Sequence, residues 1–317
     1  MIGASIEHEN LIGAKVLKIG ALDVGAALTA VRPYVSVDNE MGYLSGAPDQ
    51  LVVPIILREI GAAADESGAD FTFKTGDAPP TTVHLAPVEI PLGANRGVFK
   101  SGLTYVHQTS KQPLPLYLRE TTRNLRMDYD ADHQLVYFWF GGIGDDPDMT
   151  IADFCDHLFE CIEKNKVEHL VIDMRFNGGG NTDLIRPLIN GLGAARKVNR
   201  IGHLWVIIGR RTFSAAQNTV NLFNAFDHPI FVGEPTGSRP RFIGESTWFV
   251  LPHSKTRVYC SSRYWQVLDS TDNRCWIPPQ IVAEPTYADY VAGRDRAMDA
   301  IYAAIGAEAG SDRDQPR

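Results

Sequence analysis

The sequence has little of what marks several common functional classes. Its 317 residues hold four cysteines, too few for a disulfide scaffold in a chain of this length. Cys and His residues nowhere have the spacing of metal ligands, so we predict no metal and no cofactor. No stretch reaches the roughly 20 apolar residues that cross a bilayer, which predicts no membrane span. Residues 1–15 have no apolar core followed by a cleavage site, so we see no signal peptide in this sequence.

An excess of basic charge is also missing. Thirty Lys and Arg residues against 38 Asp and Glu residues give a formal charge of -8, which argues against nucleic acid as a partner. A hydrophobic content of 44% with 21% charged residues is typical of a globular protein that buries a core. The length allows two modest domains.

The first part of the chain predicts a small α+β module over residues 1–88. Residues 13–20 have the pattern of a strand, Asp23 is placed to cap a helix, and two short strands follow at 71–74 and 81–86. Gly and Pro residues interrupt the next stretch, so we predict a linker and covering segment over residues 89–133.

Residues 134–305 alternate strands, turns and helices. Apolar strands are predicted at 134–140, 169–174 and 203–208, and helices at about 150–164 and 215–226. This alternation predicts an α/β domain with a largely buried sheet. The small, polar residues 306–317 predict a disordered tail.

Two turns in this domain lie between a strand and a helix. The first holds Gly178, Gly179 and Gly180, and the second ends at Ser214 just before a helix that begins near Ala215. Three glycines are consistent with a tight turn, and a serine at a helix start is consistent with an N-cap. Alternatively, the serine attacks a carbonyl carbon while backbone N–H groups of both turns bind the oxyanion. That interpretation requires the two turns to lie side by side at the carboxyl ends of adjacent strands.

The motifs around these turns resemble those of the tail-specific (C-terminal processing) serine peptidases. VIDMRFNGGG is similar to the family's Asp-Leu-Arg-x-Asn-x-Gly-Gly signature, RRTFSAAQ to its nucleophile segment, and VGEPTG to the Gly-Glu-x-Thr-x-Gly stretch that follows. All three occur in the family's order within residues 134–305. The resemblance implies an α/β catalytic domain of the ClpP/crotonase-like architecture, preceded by a PDZ-like module that binds an extended peptide.

The resemblance also implies a site. Ser214 becomes the nucleophile, with Gly179 and Ala215 as oxyanion donors and Gly178 as a neighbouring alternative. Asp173 and Arg175 become structural residues that fix the turn by hydrogen bonds. Four residues are expected to line the substrate: Gly178, Gly180, Thr236 and Gly237. The implied partner is a peptide or protein, and relatives act mostly outside the cytoplasm.

The sequence departs from the family at the position of the general base. Well-studied members have a lysine 25 positions after the serine, and this chain has Arg239 there. Arginine stays protonated above about pH 12, so Arg239 cannot accept the serine proton. The glutamate that accompanies that lysine is replaced by Gln217. A neutral Gln is consistent with the loss of the lysine.

Another side chain must therefore act as base if the protein is an enzyme. Histidine and glutamate serve alongside serine in the tricorn-like branch. His107 is our first candidate because it lies in the covering segment before the catalytic sheet. Glu245 is a candidate base or orienting group, or alternatively a cap or a partner of a nearby arginine. The other candidates are His133, Asp269 and Asp272. Two hypotheses remain open: a serine-type endopeptidase, or an inactive homologue that binds a peptide or an apolar ligand in the same cleft.

Overall fold

The structure is a computed structural model of the 317-residue chain. It describes residues 3–4, 6–88, 103–109, 113–226, 228–268 and 270–311. Much of the predicted covering segment, the end of the predicted tail and Asp269 therefore lie outside the described residues.

Strands and helices alternate along most of the chain. The strands are Gly3–Ala4 (β1), Lys15–Ile19 (β2), Leu22–Asp23 (β3), Ala69–Lys74 (β4), Thr81–Leu85 (β5), Thr104–Tyr105 (β6), Leu125–Asp130 (β7), Leu135–Phe140 (β8), His169–Asp173 (β9), Leu204–Ile208 (β10), Pro229–Gly233 (β11), Arg241–Val250 (β12), Arg257–Gln266 (β13) and Ile281–Val282 (β14). The α-helices are Val24–Ala30 (α1), Glu40–Gln50 (α2), Pro54–Glu59 (α3), Val106–Thr109 (α4), Ile151–Lys164 (α5), Arg186–Ala194 (α6), Ala215–Phe226 (α7), Tyr287–Val291 (α8) and Arg296–Ser311 (α9).

The chain divides into two compact units. The N-terminal unit comprises Met1–Val37, Tyr43–Thr122 and Thr286–Asp295. The C-terminal unit comprises Asp38–Gly42, Arg123–Pro285 and Arg296–Arg317. Neither unit is one continuous stretch of chain. The division predicted from the sequence, with boundaries at 88 and at 133/134, assumed continuous segments.

The N-terminal unit is built around an antiparallel sheet with the order β3-β2-β4-β5. Asp23 caps α1, as predicted, because its Oδ1 accepts a hydrogen bond from the N–H of Ala26 (2.9 Å). Apolar residues of the sheet and helices form one core, with Phe71 and Phe73 among its buried members. The sheet leaves β3 and β5 as edge strands.

The C-terminal unit contains a six-stranded mixed sheet with the order β14-β11-β10-β9-β8-β7. β7 pairs with β8 in antiparallel orientation, and the pairs from β8 to β14 are parallel. β8, β9 and β10 are buried along their whole length, since helices cover a parallel sheet on both faces. The carboxyl ends of β9 and β10 consequently lie next to each other at one edge of the sheet.

The structure corrects three predictions from the sequence, one of which is a single closing helix over residues 286–305. β7 lies in the segment that we assigned to the linker, but its antiparallel pairing with β8 makes it part of the sheet. The predicted C-terminal helix is two helices, α8 and α9, because the chain turns at Gly293 with a φ of +66°. α9 then continues to Ser311, past the predicted end at 305, through helix-favouring alanines.

A two-stranded ribbon follows the sheet strands. β12 and β13 pair only with each other among the described strands, with Arg241 opposite Gln266 at one end and Val250 opposite Arg257 at the other. We name residues 241–266 the aromatic ribbon. Within the described parts of the chain, no helix has the length and apolar character required to cross a bilayer.

Candidate active site

Ser214 occupies a strained turn between a strand and a helix. β10 ends at Ile208 and α7 begins at Ala215, so the chain reverses within six residues. Ser214 has a φ of +56°, a left-handed conformation that non-glycine residues seldom adopt. Such strain is stored most often at functional sites. The half-buried serine is therefore held in a conformation that costs stability.

The Ser214 hydroxyl is not used to cap α7. An N-cap serine has extended backbone angles and accepts a hydrogen bond from an N–H of the first turn. Ser214 has neither property, since its φ is positive and its hydroxyl bonds to none of the described residues. The N-cap alternative raised by the sequence is therefore wrong. The hydroxyl remains available for another group.

The glycine turn is organised by Asn177, which is completely buried. Its Nδ2 donates to the carbonyl of Phe140 at the end of β8 (2.8 Å), and its Oδ1 accepts from the N–H of Gly179 (3.0 Å). Its own carbonyl accepts from the N–H of Phe213 (3.1 Å). One side chain and its peptide group thus connect the glycine turn to a neighbouring strand and to the turn that carries Ser214.

The two turns converge, as the sequence interpretation required. A Cβ atom at Gly179 would lie 2.7 Å from the Cβ of Ser214 and 2.9 Å from the nitrogen of Ala215, closer than real Cβ contacts. Gly179 also has a φ of +104°. Only glycine allows the backbone of one turn to approach the other so closely.

Gly180 has a different role from Gly179. Its φ is +143°, and a Cβ there would lie 2.0 Å from the carbonyl oxygen of Ile143. The peptide groups on either side of Gly180 pair with Ile143, whose N–H donates to Gly179 and whose carbonyl accepts from Asn181. Gly180 therefore fixes the turn to the loop after β8.

Two N–H groups near Ser214 remain open to an oxyanion. Ala215 is the first residue of α7, so its N–H has no partner within the helix. The Gly179 N–H is already donated to Asn177, whereas the Gly178 N–H has no partner among the described residues. Gly178 is also exposed, with open space where a side chain would begin. Availability thus favours Gly178 over Gly179 as the second donor.

Thr212 links the serine turn to the end of β9 and to Gly237. Its hydroxyl donates to the carbonyl of Met174 (2.9 Å) and accepts from the N–H of Gly209 (3.0 Å). Its carbonyl accepts from the N–H of Gly237 (3.1 Å). Because Thr212 is fully buried, these bonds form away from water and fix the position of the serine turn.

Thr236 and Gly237, which we expected to contact substrate, are both buried. The Thr236 hydroxyl donates to the carbonyl of Ser238 (3.1 Å) and accepts from the N–H of Ile277 (3.0 Å). A Cβ at Gly237 would lie 2.0 Å from the carbonyl oxygen of Arg210. In this structure both residues are buried, and of the two only Gly237 bonds to the serine turn, through the carbonyl of Thr212.

Arg239, at the position of the family's lysine, is exposed and bound elsewhere. Its Nε donates to the carbonyl of Asp38 (2.8 Å), and the Asp38 carboxylate accepts from the hydroxyl of Ser238 (2.7 Å). Asn39 adds two bonds, donating to the carbonyls of Thr236 and Cys275. The Asp38–Gly42 segment thus holds residues 236–239 in place.

A neutral amide network occupies the place of the family's glutamate. The Gln217 Nε2 donates to the Oδ1 of Asn221 (2.8 Å), and the Asn221 Nδ2 donates to the carbonyl of Pro240 (2.8 Å). Both side chains are fully buried. The Oε1 of Gln217 and the Oδ1 of its neighbour Asn218 are buried without a partner among the described residues. The network carries no charge and holds no base.

His107 lies in α4 of the N-terminal unit. Its Nδ1 shares a hydrogen bond with the hydroxyl of Tyr290 (2.7 Å), and its ring stacks on Tyr105. Burial lowers the pKa of His107 below its ordinary value of 6.5, so the ring is neutral at pH 7. Burial raises the pKa of Tyr290 to about 12, which keeps that hydroxyl protonated. His107 is thus held in one orientation in the neutral form that a base requires.

The remaining candidate bases have other surroundings. Glu245 is exposed on β12 with a φ of +54°, and its carboxylate makes no bond within the described residues. Exposed His133 bonds to Asp130 (2.7 Å). Asp272 binds Arg274, and this hydrogen bond lowers the pKa of the Asp272 carboxyl below its ordinary value. None of these side chains contacts Ser214 in the described parts of the chain.

Asp173 and Arg175 fix the glycine turn, as the resemblance implied. The buried Asp173 carboxylate accepts bonds from the Arg175 guanidinium and backbone, and from the hydroxyl of Tyr137 (2.7 Å). Sequence reasoning missed the roles of Asn177, Thr212 and Asn221. Asn177 and Thr212 had a signal, since both are part of the quoted motifs, and Asn221 had none. Across the described residues, no three His, Cys, Asp or Glu side chains converge on a possible metal position.

No family model matches this chain, and no curated protein matches its sequence. Solved structures do match. Mature CPAF in complex with lactacystin aligns over 93% of this chain and 77% of its own, with a TM-score of 0.56 and 10% identity. A protein of Parabacteroides merdae described as a peptidase aligns over 57% of this chain at 17% identity, with a TM-score of 0.43.

The photosystem II D1 C-terminal processing protease aligns over 69% of this chain at 16% identity, with a TM-score of 0.36. This chain spans 64% of the Parabacteroides protein and 56% of the photosystem II protease. By their descriptions, the matched structures include peptidases, a C-terminal processing protease and a lipoprotein of Streptococcus agalactiae. The resemblance is thereby confirmed at the level of the fold, a mixed α/β fold with a large parallel and antiparallel sheet.

Proposed function

We propose that this chain, which has the fold of the tail-specific peptidases, is a serine-type endopeptidase that acts through an acyl-enzyme on Ser214. One observation carries the proposal. The Ser214 hydroxyl has no hydrogen-bond partner among the described residues, and its strained turn packs against Gly179 of the glycine turn. A capping serine would have used its hydroxyl and avoided this strain.

The chemistry follows from that placement. The Ser214 oxygen forms a bond to the scissile carbonyl carbon, and its proton passes to a base. The carbonyl oxygen becomes an oxyanion, which the N–H groups of Ala215 and Gly178 would bind. The C–N bond then breaks, the amine leaves with a proton from the protonated base, and water hydrolyses the acyl-enzyme. Gly179 contributes space, because any side chain there would displace Ser214.

The general base stays a prediction, with His107 as our first candidate. Its pKa, lowered by burial, leaves it neutral at pH 7, and Tyr290 fixes its Nδ1. This arrangement supports a base whose activity falls only when the pH drops below the ordinary histidine value of 6.5. Glu245 remains a candidate for an orienting group.

We also infer the finer architecture from the resemblance. The C-terminal unit is proposed to be ClpP/crotonase-like and the N-terminal unit PDZ-like. An extended substrate peptide would add to an exposed sheet edge of the N-terminal unit, where β3 and β5 are edge strands. The substrate is proposed to be a peptide or protein outside the cytoplasm.

A fluorophosphonate probe tests the proposal, since it reacts only with an activated serine. We expect the wild-type protein to be labelled and the Ser214→Ala variant to be unlabelled. Alanine has the same unfavourable φ as serine, so this variant keeps the strain of the turn and changes only the hydroxyl. Labelling of the variant, or no labelling of wild type between about pH 6 and 10, would refute the peptidase.

His107→Ala identifies the base within the same assay. We expect this variant to lose labelling, while His133→Ala, which removes an exposed histidine, keeps it. Equal labelling of the two variants would exclude His107 and leave the serine mechanism intact.

A peptide- or ligand-binding homologue without activity is the second candidate. Two observations favour it: no base lies within hydrogen-bond distance of Ser214 among the described residues, and the buried amide network stands where other members have an ion pair. The binder predicts no probe labelling at any pH. The probe therefore separates the two functions.

A further inference from the structure

The aromatic ribbon exposes large apolar side chains on both of its faces. Seven of them are 38–62% exposed: Ile243, Trp248, Phe249, Val250, Leu251, Tyr259 and Tyr264. Single exposed apolar residues are normal on protein surfaces, but contiguous patches mark interaction sites. Since an aromatic side chain can bury about 150–250 Å², the ribbon presents several hundred Å² of apolar surface.

The register of the strands places this surface. Directly opposite residues share a face, so Trp248 lies beside Tyr259 on one face, and Phe249 beside Val258 on the other. At the opposite end of the ribbon Phe242 is buried and anchors it. The exposed apolar side chains are thus concentrated toward the end that includes residues 248–251 and the turn that follows.

The charge of the ribbon is opposite to that of the chain. It has four basic residues, Arg241, Lys255, Arg257 and Arg263, against the single carboxylate of Glu245, which gives a formal charge of +3. Because the whole chain carries -8, the remainder carries -11. Basic and aromatic residues also alternate: the Arg257 guanidinium lies 4.2 Å from the Trp248 ring centre, and that of Arg263 3.9 Å from Trp265.

This pattern argues against pairing between the ribbons of two copies. Edge-to-edge pairing would bring together two strongly basic ribbons, and natural proteins use Lys and Arg on exposed strands to prevent it. Pairing through one face would also leave the apolar side chains of the other face in water. A medium that surrounds the end of the ribbon would cover both faces at once.

We propose that the aromatic ribbon docks this protein on the surface of a membrane rich in anionic lipid. Trp and Tyr favour the headgroup level of a bilayer, where an apolar ring and a polar group are both satisfied. The basic side chains attract acidic headgroups, while their stems cover apolar surface. Trp248 to Leu251 would enter the boundary between headgroups and acyl chains, with Lys255 and Arg257 among the phosphates. This docking is independent of the proposed peptidase activity.

Co-sedimentation of the full chain with vesicles tests the proposal. We expect binding to vesicles of equal parts phosphatidylcholine and phosphatidylserine, weak binding to phosphatidylcholine alone, and a loss of binding as salt rises. Lys255→Gln with Arg257→Gln should lower binding roughly tenfold or more. Trp248→Ser with Phe249→Ser should lower it at least as much. The matched control is Ile201→Ser, which changes an apolar side chain that is 81% exposed outside the ribbon.

Circular dichroism and thermal unfolding show whether each variant is folded, and exposed ribbon substitutions are expected to leave both unchanged. Binding that is equal on neutral vesicles, or that survives both ribbon variants, overturns the proposal. A complete absence of vesicle binding overturns it too. If light scattering then finds a dimer that the ribbon variants dissociate, a second copy of this chain is the occupant instead.

Discussion

Two turns of the C-terminal unit differ in how their side chains are bonded. In residues 209–215, Ser214 has a strained backbone conformation that lowers stability. Its hydroxyl nevertheless bonds to no described side chain. Residues 236–240, the segment that corresponds to the lysine position of the family, are instead held by hydrogen bonds to other segments. The Arg239 guanidinium donates to Asp38, and Asn221 donates to Pro240.

The difference indicates which site features of the tail-specific peptidases have a counterpart in this chain. A nucleophile and its oxyanion donors depend on backbone geometry, which Asn177 and Thr212 maintain without any ionisable group. A lysine base depends on burial next to a carboxylate, because only desolvation brings its pKa near neutrality. Here the backbone geometry that the proposed nucleophile needs is present, and a neutral Gln217 and Arg239 stand at the positions of the glutamate and lysine.

The largest expected effect comes from closing the gap between the turns. Gly179→Ala places a Cβ 2.7 Å from the Cβ of Ser214 at a φ of +104°, so the serine must move. Because a small displacement of a nucleophile costs about 10²-fold, we expect fluorophosphonate labelling to slow by that amount or more.

Gly178→Ala is the matched control. Its Cβ would enter open space, and the variant keeps its N–H, so labelling should stay within a few-fold of wild type. If Gly179→Ala is labelled as fast as Gly178→Ala while both stay folded, the convergence of the turns has no bearing on the serine.

The next effect concerns stability at the second turn. Asn221→Leu removes a donor and an acceptor from a fully buried network, which leaves the Gln217 amide and the Pro240 carbonyl unpaired. Such losses cost about 1–3 kcal/mol, measured as the free energy of unfolding in urea. Asn224→Leu, on an exposed position of the same helix, should change it by less than about 0.5 kcal/mol. Equal costs would mean that the network does not stabilise this turn.

Much of the fold could be predicted because the signals were local. The apolar runs of β9 and β10 and the start of α7 at Ala215 follow from the spacing of apolar residues, and the structure has them within a residue or two. β7 was missed because its mixed sequence gave no strand pattern, and its pairing with β8 decided its structure.

The site divides in the same way. Ser214 and Gly179 could be singled out because a motif fixes their order in the chain. The buried position of Thr236 could not be predicted, since it depends on a bond to Ile277, 41 residues away. The hydrogen bond from the Gly179 N–H to Asn177 could not be predicted either, because it depends on the side-chain orientation of Asn177. The role of Asp38 had no signal at all, because it lies about 200 residues before its partners.

The smallest expected effect is the most direct test of the second turn. Arg239→Lys restores the family's residue type, but position 239 is exposed. Gln217, at the position of the family's glutamate, is neutral and bonds to Asn221. A lysine there would keep an ordinary pKa and stay protonated near neutral pH, so it could not accept the serine proton. We therefore expect labelling rates within about twofold of wild type from pH 6 to 9. A labelling rate clearly above that of wild type, and rising with pH, would contradict this prediction. It would mean that the surroundings of position 239 still support a lysine base and that only the lysine itself is missing.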